Sequence, residues 1–174
     1  MKNRMIISRK ENEMKVGIVM GSKSDYPVVE RVEKILGAFA VEYETRIISA
    51  HRTPSVAEAF ASGAESEGIE VIIAAAGKAA HLGGVIAAYT AMPVIGLPIK
   101  SSTLDGLDSL LSIVQMPKGV PVATVAIDGA ENAALLAIQI LSLKYPELRN
   151  AMKTYKENME REVIKIDAEF QRNK

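Results

Sequence analysis

Lys15-Val-Gly-Ile-Val-Met20 is apolar after its first residue and halts at Gly21. Ser22-Lys-Ser-Asp25 follows, and then Tyr26-Pro-Val-Val-Glu-Arg-Val-Glu-Lys-Ile-Leu-Gly37. Six residues are too few for a stable helix, and an unbroken apolar run fits a strand covered on both faces. In the next segment Val28, Val29, Val32, Ile35 and Leu36 recur at helical spacing, so residues 26–37 are expected to form an amphipathic helix. A buried strand feeding such a helix opens a βαβ unit.

The same alternation continues along the chain. Residues 41–48, 70–76, 93–98 and 120–127 read as further strands, the later ones continuously apolar. Between them, helices are expected over 54–68, 79–90 and 105–114. The second helix has Thr53 as its N-cap, Pro54 at its first position and Glu67-Gly68 as its stop. Strands alternating with helices call for a parallel sheet sandwiched between helical layers. The crossovers are too few for an eight-stranded α/β barrel, which needs about 250 residues. A flavodoxin-like, three-layer αβα sandwich is the expected fold. Its ligands lie beyond the carboxyl ends of the strands, which singles out the loops beginning at Gly21, Ser49, Gly77 and Lys100.

Past the last strand, Asp128-Gly-Ala-Glu131 has the spacing of a capping box and opens a helix over 130–143. That helix is apolar nearly all round and is expected to be buried all round. After Pro146 a last helix carries Leu148, Met152, Tyr155, Met159, Val163, Ile166 and Phe170 in a single stripe. Such a stripe covers either its own domain or a neighbouring copy. Taken with the apolar helix before it, subunit packing is preferred.

Composition removes whole classes of function. The 174 residues contain 21 basic and 21 acidic side chains, so no net charge recruits nucleic acid or an anionic membrane. Apolar residues make up 48%, which rules out disorder, and part of that excess is expected to be covered by other copies of the chain. Cysteine is absent, excluding disulfides and a thiolate nucleophile, and two histidines are too few for an all-imidazole metal site. No apolar run approaches 18 residues, and the first 13 residues lack a signal-peptide core. A soluble, cytoplasmic protein is expected.

Three loops carry candidate chemistry. Gly21-Ser22-Lys23-Ser24-Asp25 leads from strand to helix, where free backbone N–H groups make an anion cradle. It lacks the glycine fingerprint for dinucleotides and the lysine of an ATP-binding loop. An ordinary helix capped by Ser24 or Asp25 is the alternative there. Asp25 suits a sugar hydroxyl beside a phosphate better than the phosphate itself. In Ser49-Ala-His51-Arg52-Thr-Pro54, an imidazole able to exchange a proton near neutral pH stands beside a guanidinium able to grip phosphate. In 74–84 the small residues around Gly77, Lys78 and His81 let a ligand approach the backbone, or else simply pack a helix on the sheet. A fourth run, 101–117, is expected to be a lid or an interface segment.

The ordered set GSKSD, SAHRTP, AGKAAHL, GLDSLLSIVQMPKGVPVATVAI and NAALLAIQIL resembles the PurE family, specifically its N5-carboxyaminoimidazole ribonucleotide mutase branch, from Lys15 through the last helix. The resemblance implies an isomerase of purine biosynthesis that moves a carboxylate from N5 to ring carbon C4 of a small ribonucleotide, with no metal or organic cofactor. It implies His51 as the general acid/base. It further implies Ser22, Asp25 and Arg52 as nucleotide-binding residues, with Ser24 and Ser49 lining the same cleft. Gly77, Lys78, His81 and Leu82 would fall in the loop over the imidazole and carboxylate. It also implies a homo-octamer, with residues 14–146 as the catalytic domain and 147–174 as a helix packing on neighbouring subunits. Residues 1–13 are expected to be a disordered tail, or an extension ahead of a start at Met14. Lys78 stands where the family usually has its second glycine and Gly83 where it has proline, so Lys78 is expected to meet a positive φ. The alternatives are direct carboxylation of aminoimidazole ribonucleotide by CO2, whose branch resembles this chain less, and a homologue impaired by Lys78. A flavin electron carrier is disfavoured by 5% aromatics and no tryptophan, and a phosphoacceptor domain by Asp25 standing alone.

Overall fold

The computed structural model describes residues 14–102 and 104–174. The expectations for residues 1–13 lie outside the described residues. Five parallel strands form one sheet: β1 (Lys15–Met20), β2 (Glu42–Ile47), β3 (Ile69–Gly77), β4 (Val94–Ile99) and β5 (Ala123–Thr124). Their spatial order is β2-β1-β3-β4-β5. The helices are α1 (Tyr26–Ala38), α2 (Pro54–Gly63), α3 (Leu82–Ala88), α4 (Leu107–Val114), α5 (Ala130–Leu141) and α6 (Pro146–Arg172).

Two apolar clusters, one on each face, hold the layers together. On one face Ile18, Ile73 and Leu97 pack with Val32 and Leu36 of α1 and Ala134 and Ile138 of α5. On the other, Val19, Ile72 and Ala74 meet Ala57 of α2, Ile86 of α3 and Ile113 of α4. Each fully buried Val, Leu or Ile side chain contributes roughly 1.5–3 kcal/mol from leaving water. Gly96 in β4 shows how closely α4 sits: a Cβ there would overlap the Ile113 side chain. The result is the flavodoxin-like αβα sandwich, with an extra C-terminal helix.

Several elements are shorter than their sequence patterns. Only Ala123 and Thr124 of the run 120–127 pair with β4, opposite Ile95 and Gly96. Gly96 and Pro98 turn their carbonyls toward this edge, accepting from Val125 N at 3.1 Å and Asp128 N at 2.9 Å. In a parallel strand the N–H of a residue points the same way as its carbonyl, so the donor missing from Pro98 falls on the β5 side and cuts the ladder short. α2 ends at Gly63 instead of Gly68; the chain closes through Ile69 N to Ala64 O at 3.0 Å, with Gly68 at φ +77°. α3 begins only at Leu82, and α4 only at Leu107, because Leu104, Asp105 and Gly106 all have positive φ.

The capping box expected at the start of α5 does not form. Gly129 is the N-cap and no side chain caps it. Asp128 Oδ1 instead accepts from Lys100 N at 2.9 Å, and Glu131 pairs with Arg31 of α1 at 3.3 Å. Arg31 Nη2 also donates to Asp128 O at 2.7 Å, so both acids tie α5 to its neighbours. Nor is α5 buried all round: Leu135, Leu136 and Ile140 are half-buried, and Asn132 and Gln139 are exposed.

The stripe on α6 divides. Leu148 and Met152 are buried in the first core cluster, and Tyr155 lies against Phe39 with ring centroids 5.7 Å apart. Met159, Val163, Ile166 and Phe170, further along, are 44–66% exposed. No helix among the described residues is long and apolar enough to cross a membrane.

Candidate active site

A cleft of about 640 Å³ opens beyond the carboxyl ends of β1, β2, β3 and β4. The strand order reverses between β1 and β3, which is where an open α/β sheet presents a crevice. All ten residues singled out in the sequence line it: Ser22, Ser24, Asp25, Ser49, His51, Arg52, Gly77, Lys78, His81 and Leu82.

The β1 loop is rigid by its own bonding. Ser22 caps a 3₁₀ turn over Lys23–Asp25: its Oγ accepts from Ser24 N at 3.3 Å, while Asp25 Oδ2 accepts from Ser22 N at 3.1 Å. Asp25 is the N-cap of α1 by position but makes no capping bond there; the side-chain cap is Ser22, three residues earlier, at the head of the 3₁₀ turn, where Asp25 completes a capping box. Ser24 Oγ donates to Ser22 Oγ at 2.9 Å and lies 3.2 Å from Asp25 Oδ1. Asp25 is buried, and the loss of water around its carboxylate raises its pKa against the lowering influence of the Ser24 and Ser22 donors.

The β2 loop folds around Thr53 and Arg52. Thr53 is the N-cap of α2 by position, yet its hydroxyl makes no capping bond. It donates to Ser49 O at 3.1 Å and accepts from Ser49 N at 3.0 Å. This closes the loop and leaves Ser49 Oγ to accept from Arg52 N at 3.2 Å and Arg52 Nε at 3.3 Å. Arg52 Nη2 reaches across to Gly21 O at 2.9 Å. The guanidinium thus bridges the ends of β1 and β2, with part of its five-donor fork still available to an anion.

β3 supplies the third wall. Ala76 is buried, and Gly77 lies so near β4 that a Cβ there would sit 3.4 Å from Ile99 O. Lys78 follows at φ +56°, as expected for a site suited to glycine, and is exposed at the rim. His81 occupies the N-cap position of α3, and Leu82 behind it is buried. His51 Nε2 and His81 Nδ1 are 2.9 Å apart, with the rings nearly perpendicular at 79°. One of the two nitrogens donates and the other accepts, so the contact couples the tautomers of both rings. Ile99, Lys100, Ser101 and Ser102, at the end of β4, complete the cleft; the loop beginning at Lys100 and the run 101–117 were noted in the sequence, but none of these four as a site residue. Their signal was positional only: they begin one of the four strand-end loops.

The geometry offers an anchored guanidinium beside serine hydroxyls, a buried carboxyl, a coupled imidazole pair and a floor of small residues. A family model described as AIR carboxylase matches residues 15–162. The chain belongs to this family. Among its curated relatives, the N5-carboxyaminoimidazole ribonucleotide mutase of Pyrococcus abyssi is 64% identical over 147 residues, 84% of each chain. The mutase of Thermotoga maritima is 59% identical over 150 residues, covering 86% of this chain and 88% of that one. The crystal structure of Treponema denticola PurE superposes with a TM-score of 0.80 at 32% identity, over 89% of this chain and 97% of that one.

Proposed function

We propose that the protein is an N5-carboxyaminoimidazole ribonucleotide mutase, an isomerase of purine biosynthesis that yields 4-carboxy-5-aminoimidazole ribonucleotide. The observation that carries this is the meeting of His51, Arg52, Ser22 and Asp25 with the Gly77–His81 loop in one cleft of a chain from this family.

The substrate carries a carbamate, an N-bound carboxylate that readily releases CO2. The electron-rich C4 of the aminoimidazole can then attack that CO2 if it stays close. Three tasks fall to the protein: holding the nucleotide, retaining CO2 in a water-poor space, and moving one proton. Arg52, fixed by Gly21 O and Ser49 Oγ, takes the phosphate together with Ser22 and the adjoining loop hydroxyls. Asp25, facing the cleft from the buried side, suits a ribose hydroxyl. Ala76, Gly77 and Leu82 form the small apolar pocket in which CO2 dwells. His51 delivers a proton to the departing N5 nitrogen and takes one back from C4 after the new carbon–carbon bond forms, so the cycle is redox-neutral. His81 holds the His51 ring through the 2.9 Å contact.

The assembly is proposed to be a homo-octamer in the cytoplasm. Two apolar surfaces left open on the single chain support an oligomer: Met159, Val163, Ile166 and Phe170 on α6, and Leu107, Leu111 and Val114 on α4. Conversion of N5-carboxyaminoimidazole ribonucleotide, followed spectrophotometrically, tests the activity. Because the family model bears the description of a carboxylase, the same assay is run with aminoimidazole ribonucleotide and bicarbonate. Turnover of the second mixture at a rate matching or exceeding the first would replace the mutase with the direct carboxylase.

A further inference from the structure

We propose that Lys78 is the residue by which the cleft tells a carboxylated nucleotide from a decarboxylated one, an assignment that rests on the substrate proposed above. Among the described residues five non-glycines have positive φ: Ala40, Lys78, Leu104, Asp105 and Asp128. Of these, Lys78 alone lines the cleft. A left-handed backbone strains a residue that bears a side chain, and such strain gathers at sites that use it.

Charge separates Lys78 from the other cations there. Arg52 donates to Gly21 O and Ser49 Oγ, and Lys100 pairs with Asp105 at 3.1 Å. Lys78 makes no hydrogen bond or ion pair among the described residues, so its ammonium is held in reserve. The loop beneath it is firm. Gly77 is fitted against Ile99, His81 N donates to Ala79 O at 2.9 Å, and Ala80 and Leu82 are buried. Only the exposed side chain of Lys78 is left to move.

Position decides which anion it meets. Arg52 and Ser22 occupy the β1–β2 side and take the phosphate. Lys78 stands three residues before His81, at the reacting end, where the ligand carries its carboxylate. A compact ammonium acts as a point charge whose attraction falls with distance. It therefore favours both the N5- and the C4-carboxylated nucleotides and gives little to the nucleotide that has lost CO2.

Calorimetric titration of the parent protein, Lys78→Met and Lys78→Arg with 4-carboxy-5-aminoimidazole ribonucleotide and with 5-aminoimidazole ribonucleotide tests this. Lys78→Met keeps the length and backbone demand of the side chain while removing its charge. It is expected to weaken the carboxylated ligand roughly three- to tenfold, the size of a partly exposed charge-assisted contact, and to leave the decarboxylated ligand within about twofold. Lys78→Arg should retain the preference. Equal changes for both ligands, or none for either, would overturn the role of Lys78 while leaving the substrate assignment intact. Failure of the parent to bind either ligand would overturn the substrate assignment and Lys78 with it.

Discussion

Nε2 of His51 lies 2.9 Å from Nδ1 of His81, although thirty residues separate them in the chain. The contact exists because β1 is inserted between β2 and β3, so the loops leaving β2 and β3 face each other across the end of β1. It fixes the orientation of the ring assigned to carry the proton. Replacing His51 by Asn is expected to preserve folding and nucleotide binding while lowering kcat by at least ~10²-fold. His81→Asn, which only frees the partner ring, should cost much less. Turnover of the His51 variant within a few-fold of the parent would remove it as the proton carrier.

Arg52 is expected to act through the phosphate. Its guanidinium spans two loops and offers a planar fork that lysine does not reproduce. Arg52→Ala should weaken the nucleotide far more than the corresponding dephosphorylated nucleoside, both measured by calorimetry. Parallel losses for the two ligands would assign Arg52 to loop architecture instead.

Asp25 gives a pH signature of its own. Burial raises its pKa above the ordinary 3.8, so the native protein keeps a proton that the unfolded chain has already released. Unfolding in that window releases the proton, and stability contributed by Asp25 falls as pH rises from about 3.8 through the folded value. Asp25→Asn cannot ionise, so this downward component should vanish from its pH profile. Denaturant titrations of both proteins at a series of pH values from about 3.8 upward read the difference. Identical pH slopes would contradict it.

The exposed end of α6 should report on assembly. Met159 and Val163, 44% and 66% exposed, carry the apolar stripe beyond the domain. Replacing both by Glu should split or destabilise the oligomer, followed by light scattering. A stable monomer in the parent protein would defeat the expectation.

Local chemistry along the chain made much of this molecule legible. The apolar run at 15–20 and the stripe from Val28 to Leu36 appear in the structure almost residue for residue, because burial on two faces and burial on one face leave different periods. What failed to show in the sequence depends on neighbours. β5 loses most of its length to the proline of another strand, Pro98, and α4 starts late because of three left-handed residues ahead of it. Asp128 and Glu131 have capping-box spacing but find Lys100 N and Arg31 closer to hand. In the cleft, histidine and arginine beside a strand end were conspicuous. Lys100, Ser101 and Ser102 were not, since serines after a strand look alike whether they face a ligand or solvent. The coupling of His51 to His81 needed the strand order, which no local pattern carries.

The truncation of β5 has a consequence for how this sheet avoids pairing with other chains while it folds. A long, regular outer strand offers a row of unpaired N–H and C=O groups to any passing chain. At one flank of this sheet only two residues are paired, and Pro121 lies just ahead of them. At the other flank the outer strand, β2, carries Glu42, Glu44 and Arg46 among its six residues, and Lys15 from the adjoining strand pairs with Glu44 at 2.9 Å. Bringing a second β2 alongside in parallel register would set Glu42, Glu44 and Arg46 each against its like. Neither border therefore makes a good template for strand addition, and the route to fibrous aggregates that begins at a bare sheet margin is guarded on both sides.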